Sequence, residues 1–294
     1  MQIHHSLEFL PKIPSPVVTV GSFDGVHKGH RTIIQRLNTL AEGAGGASVL
    51  ITFSPHPRKV LYPDTAGKNL KMINSLPEKC LLLEESGLDH LVIMEFTREF
   101  ARTTSEEFVR TYLVGKLHAH TIVVGFNHFF GHNREGSYAS LYNSRERYGY
   151  RVEEIPEQGI QNETVSSTKI RKALREGNIQ RANAYLEHIF MVQTHLERKT
   201  VSSASTVQDC FEFRPQDPLK LLPPEGAYAV SILGEESSVK GLVQISGSGN
   251  FMFPLRRNSA MEEGRITIRF HKQIESGKQS ELEDLLNTIQ ELIY

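Results

Sequence analysis

The stretch VVTVGSFDGVHKGH, residues 17–30, places a glycine-rich turn and two histidines directly after an apolar run. His27 and His30 are three residues apart, a spacing that puts both side chains on one side of a helix start. Two imidazole N–H groups in that position can donate to the oxygens of one phosphate. Gly21 and Gly25 permit a tight turn and a close backbone approach to a ligand. The pattern therefore predicts a phosphate-binding helix end.

Two other interpretations of the same residues stay open. An isolated H-x-x-H is a short pattern that arises by chance, and its histidines can be a polar surface pair beside an ordinary turn. The order of apolar strand, glycine turn and amphipathic helix favours the phosphate site over that interpretation. A metal site is disfavoured because no cysteine or carboxylate cluster accompanies the histidines, and we assign no metal-ligating residue.

A second group of polar residues opens a helical pattern at Ser167. Ser167 or Thr168 can cap that helix, and Lys169 and Arg171 follow close behind. Cations are unfavourable near a helix N-terminus unless an anion neutralises them. This cluster therefore indicates a second phosphate-binding helix end.

The elements that must position these residues alternate between strand and helix in the first half of the chain. Strands are predicted at 17–21, 47–53, 90–96, 121–125 and 150–155. Apolar residues at helical spacing lie between them, and the first helix ends in the glycine-rich segment 43–46. Ser75 with Glu78 and Thr104 with Glu107 have the spacing of capping boxes. This alternation predicts an α/β fold with a doubly wound parallel sheet.

The rhythm changes in the second half of the chain. A helical pattern at 167–187 gives way to closely spaced strand-like runs with no helix between them. These runs are at 206–213, 226–233, 239–246, 250–255 and 265–274. They predict a small antiparallel β-barrel or sandwich, followed by a C-terminal helix at 280–293 whose apolar stripe packs on the barrel or on a second subunit. We place the two domains at 1–186 and 187–294, and a homo-oligomer is left open.

Composition is ordinary for a globular protein and disfavours some partners. The 294 residues carry 33 Lys and Arg against 34 Asp and Glu, and hydrophobic residues make up 39%. Nucleic-acid binding through bulk charge is disfavoured because no long block of one sign occurs. The first residues have neither a basic nor a long apolar stretch, and the two cysteines have no C-x-x-C or metal-ligand spacing. We therefore expect a cytoplasmic protein with no membrane or nucleic-acid partner.

Four motifs resemble those of the prokaryotic bifunctional riboflavin kinase and FAD synthetase family. They are GSFDGVHKGH, ITFSPHPRKVL, VVGFNHFFGHNREGS and VSSTKIRKALREGNIQRAN, in that order. The resemblance covers essentially the first half of the chain and implies transfer of AMP from ATP to FMN. Magnesium is implied as the cofactor, with ATP and FMN as the small-molecule substrates.

The resemblance also implies three groups of site residues. The ATP contacts fall on Gly21, Ser22, Phe23, Asp24, Gly25, Asn127, Ser167 and Thr168. The catalytic residues, which stabilise charge on the phosphates, are His27, His30 and Arg171. The FMN contacts fall on Pro55, His56 and Pro57, although these residues can also be a simple strand exit.

The chain departs from the family pattern in two places. Asn127, Phe129 and His132 stand where many members have an aspartate and two arginines, which changes the contacts offered to phosphate or flavin. In the second half, the family's G-R-x-x-G-F-P-T-A-N segment, which surrounds the ATP phosphates in the kinase, has no counterpart at 190–213. A kinase needs such groups around the triphosphate. We therefore expect a kinase-like barrel without kinase activity.

Two alternatives to an FMN adenylyltransferase stay open. One is a nucleotidylyltransferase that acts on another phosphate acceptor. The other is a non-catalytic flavin-nucleotide-binding regulator, which is disfavoured because a pure binder need not keep two phosphate-binding helix ends.

Overall fold

The computed structural model describes residues 1–126, 128–157, 159–160, 163–202, 207–234, 238–247, 249–254 and 265–274. The chain forms two compact units. One comprises Met1–Leu70 and Lys79–Val165, and the other comprises Lys71–Glu78 and Ser166–Tyr294. The functional boundary at residues 186 and 187 stays a prediction, because a grouping by contacts does not say which residues act together.

A parallel sheet forms the centre of the first unit. Its strands are β1 (Gln2–His4), β2 (Val17–Val20), β3 (Ser48–Ser54), β4 (His90–Glu95), β5 (Thr121–Gly125) and β6 (Arg151–Ile155). Their order in the sheet is β1-β4-β3-β2-β5-β6. The central strands are buried on both faces, which is why they read as continuous apolar runs rather than alternating ones. The predicted parallel sheet is confirmed.

Helices cover this sheet. They are α1 (Lys28–Gly43), α2 (Pro57–Leu61), α3 (Leu76–Glu85), α4 (Ser105–Glu107, continued by a π-helical segment at Phe108–Lys116) and α5 (Tyr138–Tyr148), with short 3₁₀ turns at Phe100–Arg102 and His132–Arg134. A small hairpin, β7 (Gly159–Ile160) and β8 (Glu163–Thr164), follows the sheet. The buried face of α1, with Ile34, Leu37 and Ala41, packs on β2 and β3. In the described part of the chain, no helix has the length and apolar character needed to cross a membrane.

The second unit contains two helices and an antiparallel barrel. The helices are α6 (Ser167–Arg175) and α7 (Ile179–Leu186). The strands are β9 (Met191–Ser202), β10 (Val207–Pro215), β11 (Gly226–Leu233), β12 (Ser238–Ser246), β13 (Gly249–Pro254) and β14 (Arg265–Ile274). They close in the order β10-β13-β12-β11-β14-β9, so the fold is a barrel rather than a sandwich. The predicted C-terminal helix at 280–293 lies outside the described residues.

Two expectations about the second unit's helices are corrected. The pattern at 167–187 forms two helices, because the chain turns at Gly177, where φ is +73°, and the Asn178 side chain then caps α7. The cap of α6 is Ser166, whose hydroxyl accepts a hydrogen bond from the Lys169 N–H at 3.4 Å, and not Ser167 or Thr168.

A buried ion pair ties three segments of the second unit together. Lys220 Nζ donates to Glu78 Oε2 at 2.5 Å and to the carbonyl oxygens of Ile73 and Met191, each at 2.6 Å. Glu78 also accepts the N–H of Ser75, which confirms the predicted capping pair. Each side chain of the ion pair is 1% exposed. The first helical turn after Ser75 is therefore fixed to the barrel.

Candidate active site

The loop at residues 21–26 has an unusual backbone. Phe23, Gly25 and Val26 have φ angles of +45°, +95° and +39°. A β-branched residue in this left-handed region is an outlier, and such strain persists only where surrounding structure enforces it, often at functional sites. Gly21 has no room for a side chain, since a Cβ there would lie 2.9 Å from the Phe23 ring. The loop is therefore held in one conformation that the sequence alone does not favour.

Two side chains outside this loop donate hydrogen bonds to the Ser22 carbonyl oxygen. Lys79 Nζ on α3 donates to it at 2.7 Å, and Thr52 Oγ1 on β3 donates at 3.3 Å. Lys79 is 8% exposed and Asp24, in the loop, is 1% exposed. Burial lowers the pKa of Lys79 below its ordinary value, and the negative charge of Asp24 opposes that change. Sequence reasoning missed Lys79, which lies far from the loop along the chain.

The two histidines stack at the start of α1. His27 is the N-cap residue and makes no side-chain capping bond. Its ring lies 3.7 Å from the His30 ring between centroids, at 15°, and the other face of His30 stacks on Phe23 at 4.5 Å. The predicted placement of both histidines on one side of the helix start is confirmed. Phe23, His30 and His27 thus form one column of rings.

His30 is neutral at neutral pH. Burial lowers the pKa of His30 well below its ordinary value, and the nearby His27 and Lys79 lower it further. Its Nδ1 atom is buried and has no hydrogen-bond partner among the described residues. A neutral imidazole has one N–H, so His30 offers a single donor to a ligand.

A cavity of about 350 Å³ opens beside this column, at the carboxyl ends of β2 and β5. Here the strand order turns, since β3 lies on one side of β2 and β5 on the other. Ligands of open parallel sheets bind at such points. The predicted residues that line the cavity are Gly21, Ser22, Phe23, His27 and His30. The structure therefore brings together most of the first motif.

The cavity wall also contains three residues of the third motif, Gly125, Phe126 and His128. Phe126 is 50% exposed, so its ring is available to a planar ligand. Burial lowers the pKa of His128 to about 4, and the charge of Arg134 contributes. His128 is therefore neutral at physiological pH.

The positions that depart from the family pattern lie in the same loop. Phe129 is 44% exposed, and the Arg134 guanidinium lies over its ring at 4.8 Å. His132 Nδ1 lies 3.1 Å from the carbonyl oxygen of Ala101. The Arg134 guanidinium therefore places a positive charge beside Phe129, a position at which many family members have an arginine. Asn127 lies outside the described residues.

The predicted FMN residues follow β3 and begin α2. His56 is the N-cap of α2, and its Nδ1 accepts the N–H of Arg58 at 3.2 Å, while Pro57 is the first helical residue. Pro55, His56 and Pro57 are not among the described residues that line the cavity. A second cavity, of about 370 Å³, lies beside α4 and α5 and has none of the predicted residues in its described lining.

The second phosphate-binding cluster belongs to the second unit. Ser167 is half-buried and Thr168 is exposed at the start of α6. Arg171 is 6% exposed, and its Nε donates to the carbonyl oxygen of Lys71 at 2.9 Å. Arg171 therefore has a structural contact in addition to any role toward a ligand.

A magnesium ion has no protein-only cage in the described part of the chain, where no three His, Cys, Asp or Glu side chains form a metal-binding group. Magnesium in nucleotide enzymes is commonly held by one or two carboxylates together with substrate phosphates. That donor set forms only when the nucleotide is bound. Magnesium stays a prediction.

Comparison with known proteins links these features to one family. The family model of FAD synthetase matches residues 11–169. Two similar proteins are bifunctional riboflavin kinase/FMN adenylyltransferases. The Escherichia coli K12 protein is 30% identical, and the match covers 82% of this chain and 75% of the relative. The Listeria monocytogenes protein is 27% identical, and the match covers 90% of this chain and 82% of the relative. A crystal structure of a macrolide-efflux protein from Streptococcus pneumoniae has a TM-score of 0.82 at 21% identity, covering 99% of this chain and 96% of that one, which shows the fold alone.

Proposed function

Since the chain belongs to the FAD synthetase family, whose members are nucleotidyltransferases of flavin biosynthesis, we propose that it transfers AMP from ATP to FMN. The products are FAD and pyrophosphate. The observation that carries this proposal is the ring column of Phe23, His30 and His27 at the N-terminus of α1, beside a cavity at the switch point of the sheet.

The reaction needs positioning more than proton removal. A phosphate oxygen of FMN forms a bond to the α-phosphorus of ATP, and the bond from that phosphorus to the oxygen bridging to the β-phosphate breaks. The second pKa of a phosphate monoester is about 6, so the attacking group is already largely ionised at neutral pH. No residue is therefore assigned as a general base or a covalent nucleophile.

The site supplies what such a reaction requires. Gly29 and His30, in the first turn of α1, line the cavity, so the positive end of the helix dipole favours phosphate there. His27 and His30 are assigned to donate hydrogen bonds to the α-phosphate and the departing pyrophosphate, whose charge grows in the transition state. The strained loop brings backbone atoms close to the nucleotide, and Gly21, which has no room for a side chain, suits that close approach.

The remaining assignments rest on the family resemblance. Ser167, Thr168 and Arg171 are proposed to bind ATP phosphates, and Pro55 to Pro57 to contact the flavin. Magnesium, when bound with ATP, would supply further positive charge at the phosphates.

We also propose that the barrel does not phosphorylate riboflavin. The missing kinase motif would fall where β9 and β10 form an antiparallel pair. The pairing runs from Ser202 opposite Val207 to Thr194 opposite Pro215, without a change of register. Every described residue of that pairing follows the ladder, so the described residues of the two strands offer no loop that could surround a triphosphate.

The adenylyl-transfer proposal is tested with purified protein, ATP, magnesium and a panel of acceptors, with products separated by chromatography. FMN is expected to give FAD, whereas riboflavin and other mononucleotides are expected to give no adenylylated product. Turnover of a different acceptor would support the alternative nucleotidylyltransferase. Binding of FMN and ATP without turnover would support the regulator.

The kinase proposal has a separate test. Incubation with riboflavin, ATP and magnesium is expected to give no FMN under conditions in which the same preparation makes FAD from added FMN. Sustained FMN formation at a catalytic rate would show that the barrel binds its nucleotide by other residues and that the proposal is wrong.

A further inference from the structure

We propose that Lys79 is a positioning residue of the nucleotide site: its ammonium group holds the Ser22 carbonyl and so fixes the loop at residues 21–26 on which the ring column depends. The effect of Lys79 on the rate of catalysis rests on the proposed adenylyl transfer. The effect of Lys79 on the pKa of His30 does not, and it can be measured without substrate.

The first step is the contact itself. Lys79 extends from α3 and is 8% exposed, and its Nζ lies 2.7 Å from the Ser22 oxygen. Thr52 Oγ1 donates to the same oxygen from 3.3 Å, a longer and neutral hydrogen bond. Charged donors form the stronger hydrogen bonds. The lysine is therefore the main restraint on this end of the loop.

The second step is the strain that this restraint opposes. Phe23 and Val26 have positive φ angles, a conformation that side-chain-bearing residues avoid. Phe23 is also the base of the column, since its ring stacks on His30 at 4.5 Å. If the loop relaxes, Phe23 moves and His30 loses one face of its stack.

The third step is charge. The Lys79 ammonium is one of the causes that lower the pKa of His30, after burial and His27. The charged or titratable groups around the stack are His27 on α1, Asp24 in the loop, Lys79 on α3, and His128 and Glu157 on the cavity wall. Removing the lysine charge therefore favours protonation of His30, in a stack where His27 lies 3.7 Å away.

Three variants separate the hydrogen bond from the charge. Lys79→Gln keeps an N–H donor and removes the charge. Thr52→Val removes a donor from the same carbonyl and keeps the charge. Lys79→Met removes both the donor and the charge at this position.

The test is an NMR pH titration of the histidines in ligand-free, ¹³C-histidine-labelled protein, with the His30 signal assigned by its loss in His30→Gln. The pKa of His30 is expected to rise in Lys79→Gln and Lys79→Met and to be unchanged in Thr52→Val. In parallel, kcat for FAD formation is expected to fall about tenfold or more in Lys79→Met, with KM for FMN changed less, because misplaced catalytic groups cost rate.

Two results would overturn the proposal. The same His30 pKa in Lys79→Gln and in the native protein would show that the Lys79 charge does not lower this pKa. A native kcat in Lys79→Met would show that Lys79 does not position the catalytic groups. If Lys79→Met does not fold, Lys79→Gln still tests the charge step. Thr52→Val then tests the positioning role: because Lys79 is the main restraint on the Ser22 carbonyl, kcat should stay native, and a fall of about tenfold or more would assign the restraint to Thr52 instead. A native protein that makes no FAD would refute the proposed function, while the titration remains decisive for Lys79.

Discussion

Replacement of Lys220 by methionine should destabilise the barrel unit strongly. Lys220 and Glu78 form an ion pair whose side chains are each 1% exposed, and the lysine Nζ lies 4.4 Å from the centroid of the Phe190 ring. In Lys220→Met the Glu78 carboxylate keeps the N–H groups of Ser75 and Gln193, at 2.9 and 2.8 Å, and loses its cation. Two backbone donors do not neutralise a buried charge.

The expected cost is about 3–5 kcal/mol, the range for removing one partner of a buried pair. The Phe190 contact adds to it, since a desolvated cation–π pair contributes up to about 2 kcal/mol. The double variant Glu78→Gln, Lys220→Met buries no charge and should lose less than the sum of the single variants, because the two residues interact directly.

Hydrogen exchange followed by mass spectrometry is the suitable assay, because a protein of two units need not unfold in one step. Amides of β9 and β11 should exchange faster in Lys220→Met, and amides of β2 and β5 should not change. The control is Arg214→Met, which breaks a 2.8 Å pair with Glu212 in which Arg214 is 82% exposed, and should cost no more than about 1 kcal/mol. A loss in Lys220→Met no larger than in this control would refute the reasoning.

Three further predictions concern the candidate site. His27→Ala and His30→Ala should each lower kcat for FAD formation by about 10² or more, because each removes a donor to developing charge, whereas the exposed His5→Ala should not; native rates in both site variants would exclude the assigned role. Arg171→Ala should weaken binding of a non-hydrolysable ATP analogue more than binding of FMN in calorimetry, and the opposite order would place Arg171 on the flavin side. The pKa of His128 is about 4 in the folded protein, against an ordinary value of 6.5. The unfolded state therefore binds more protons between these values, and the free energy of unfolding should fall as the pH drops from 6.5 to 4. His128→Asn should reduce this pH dependence in urea unfolding, and an unchanged pH dependence would contradict the prediction.

Local patterns were sufficient to predict the sheet and the core of the site. Strands β2 to β6 end within one residue of the predicted bounds. Strands β2 to β5 are buried over most of their length, and strands buried on both faces read as continuous apolar runs. His27 and His30 could be placed on one side of a helix because helical spacing alone determines that. Strand β1 was missed, since its three residues are largely exposed and carry no apolar pattern.

Contacts made by residues far apart in the chain could not be predicted. Lys79 and the Ser22 carbonyl are separated by 57 positions, and Lys220 and Glu78 by 142. A lysine is ordinarily read as solvent-exposed, and only the tertiary fold shows that these two are buried. Strand β9 was also missed, because its polar residues suggested no strand until it was seen to pair with β10 along its length.

The most direct measurement of the central claim is the stoichiometry of one reaction. Purified protein is incubated with FMN, magnesium and ATP labelled at the α-phosphate, and FAD and pyrophosphate are quantified together. The proposed function predicts labelled FAD and pyrophosphate in equal amounts, with both lost in His30→Ala and retained in His5→Ala. Release of pyrophosphate without labelled FAD, or no reaction with FMN at all, would contradict it.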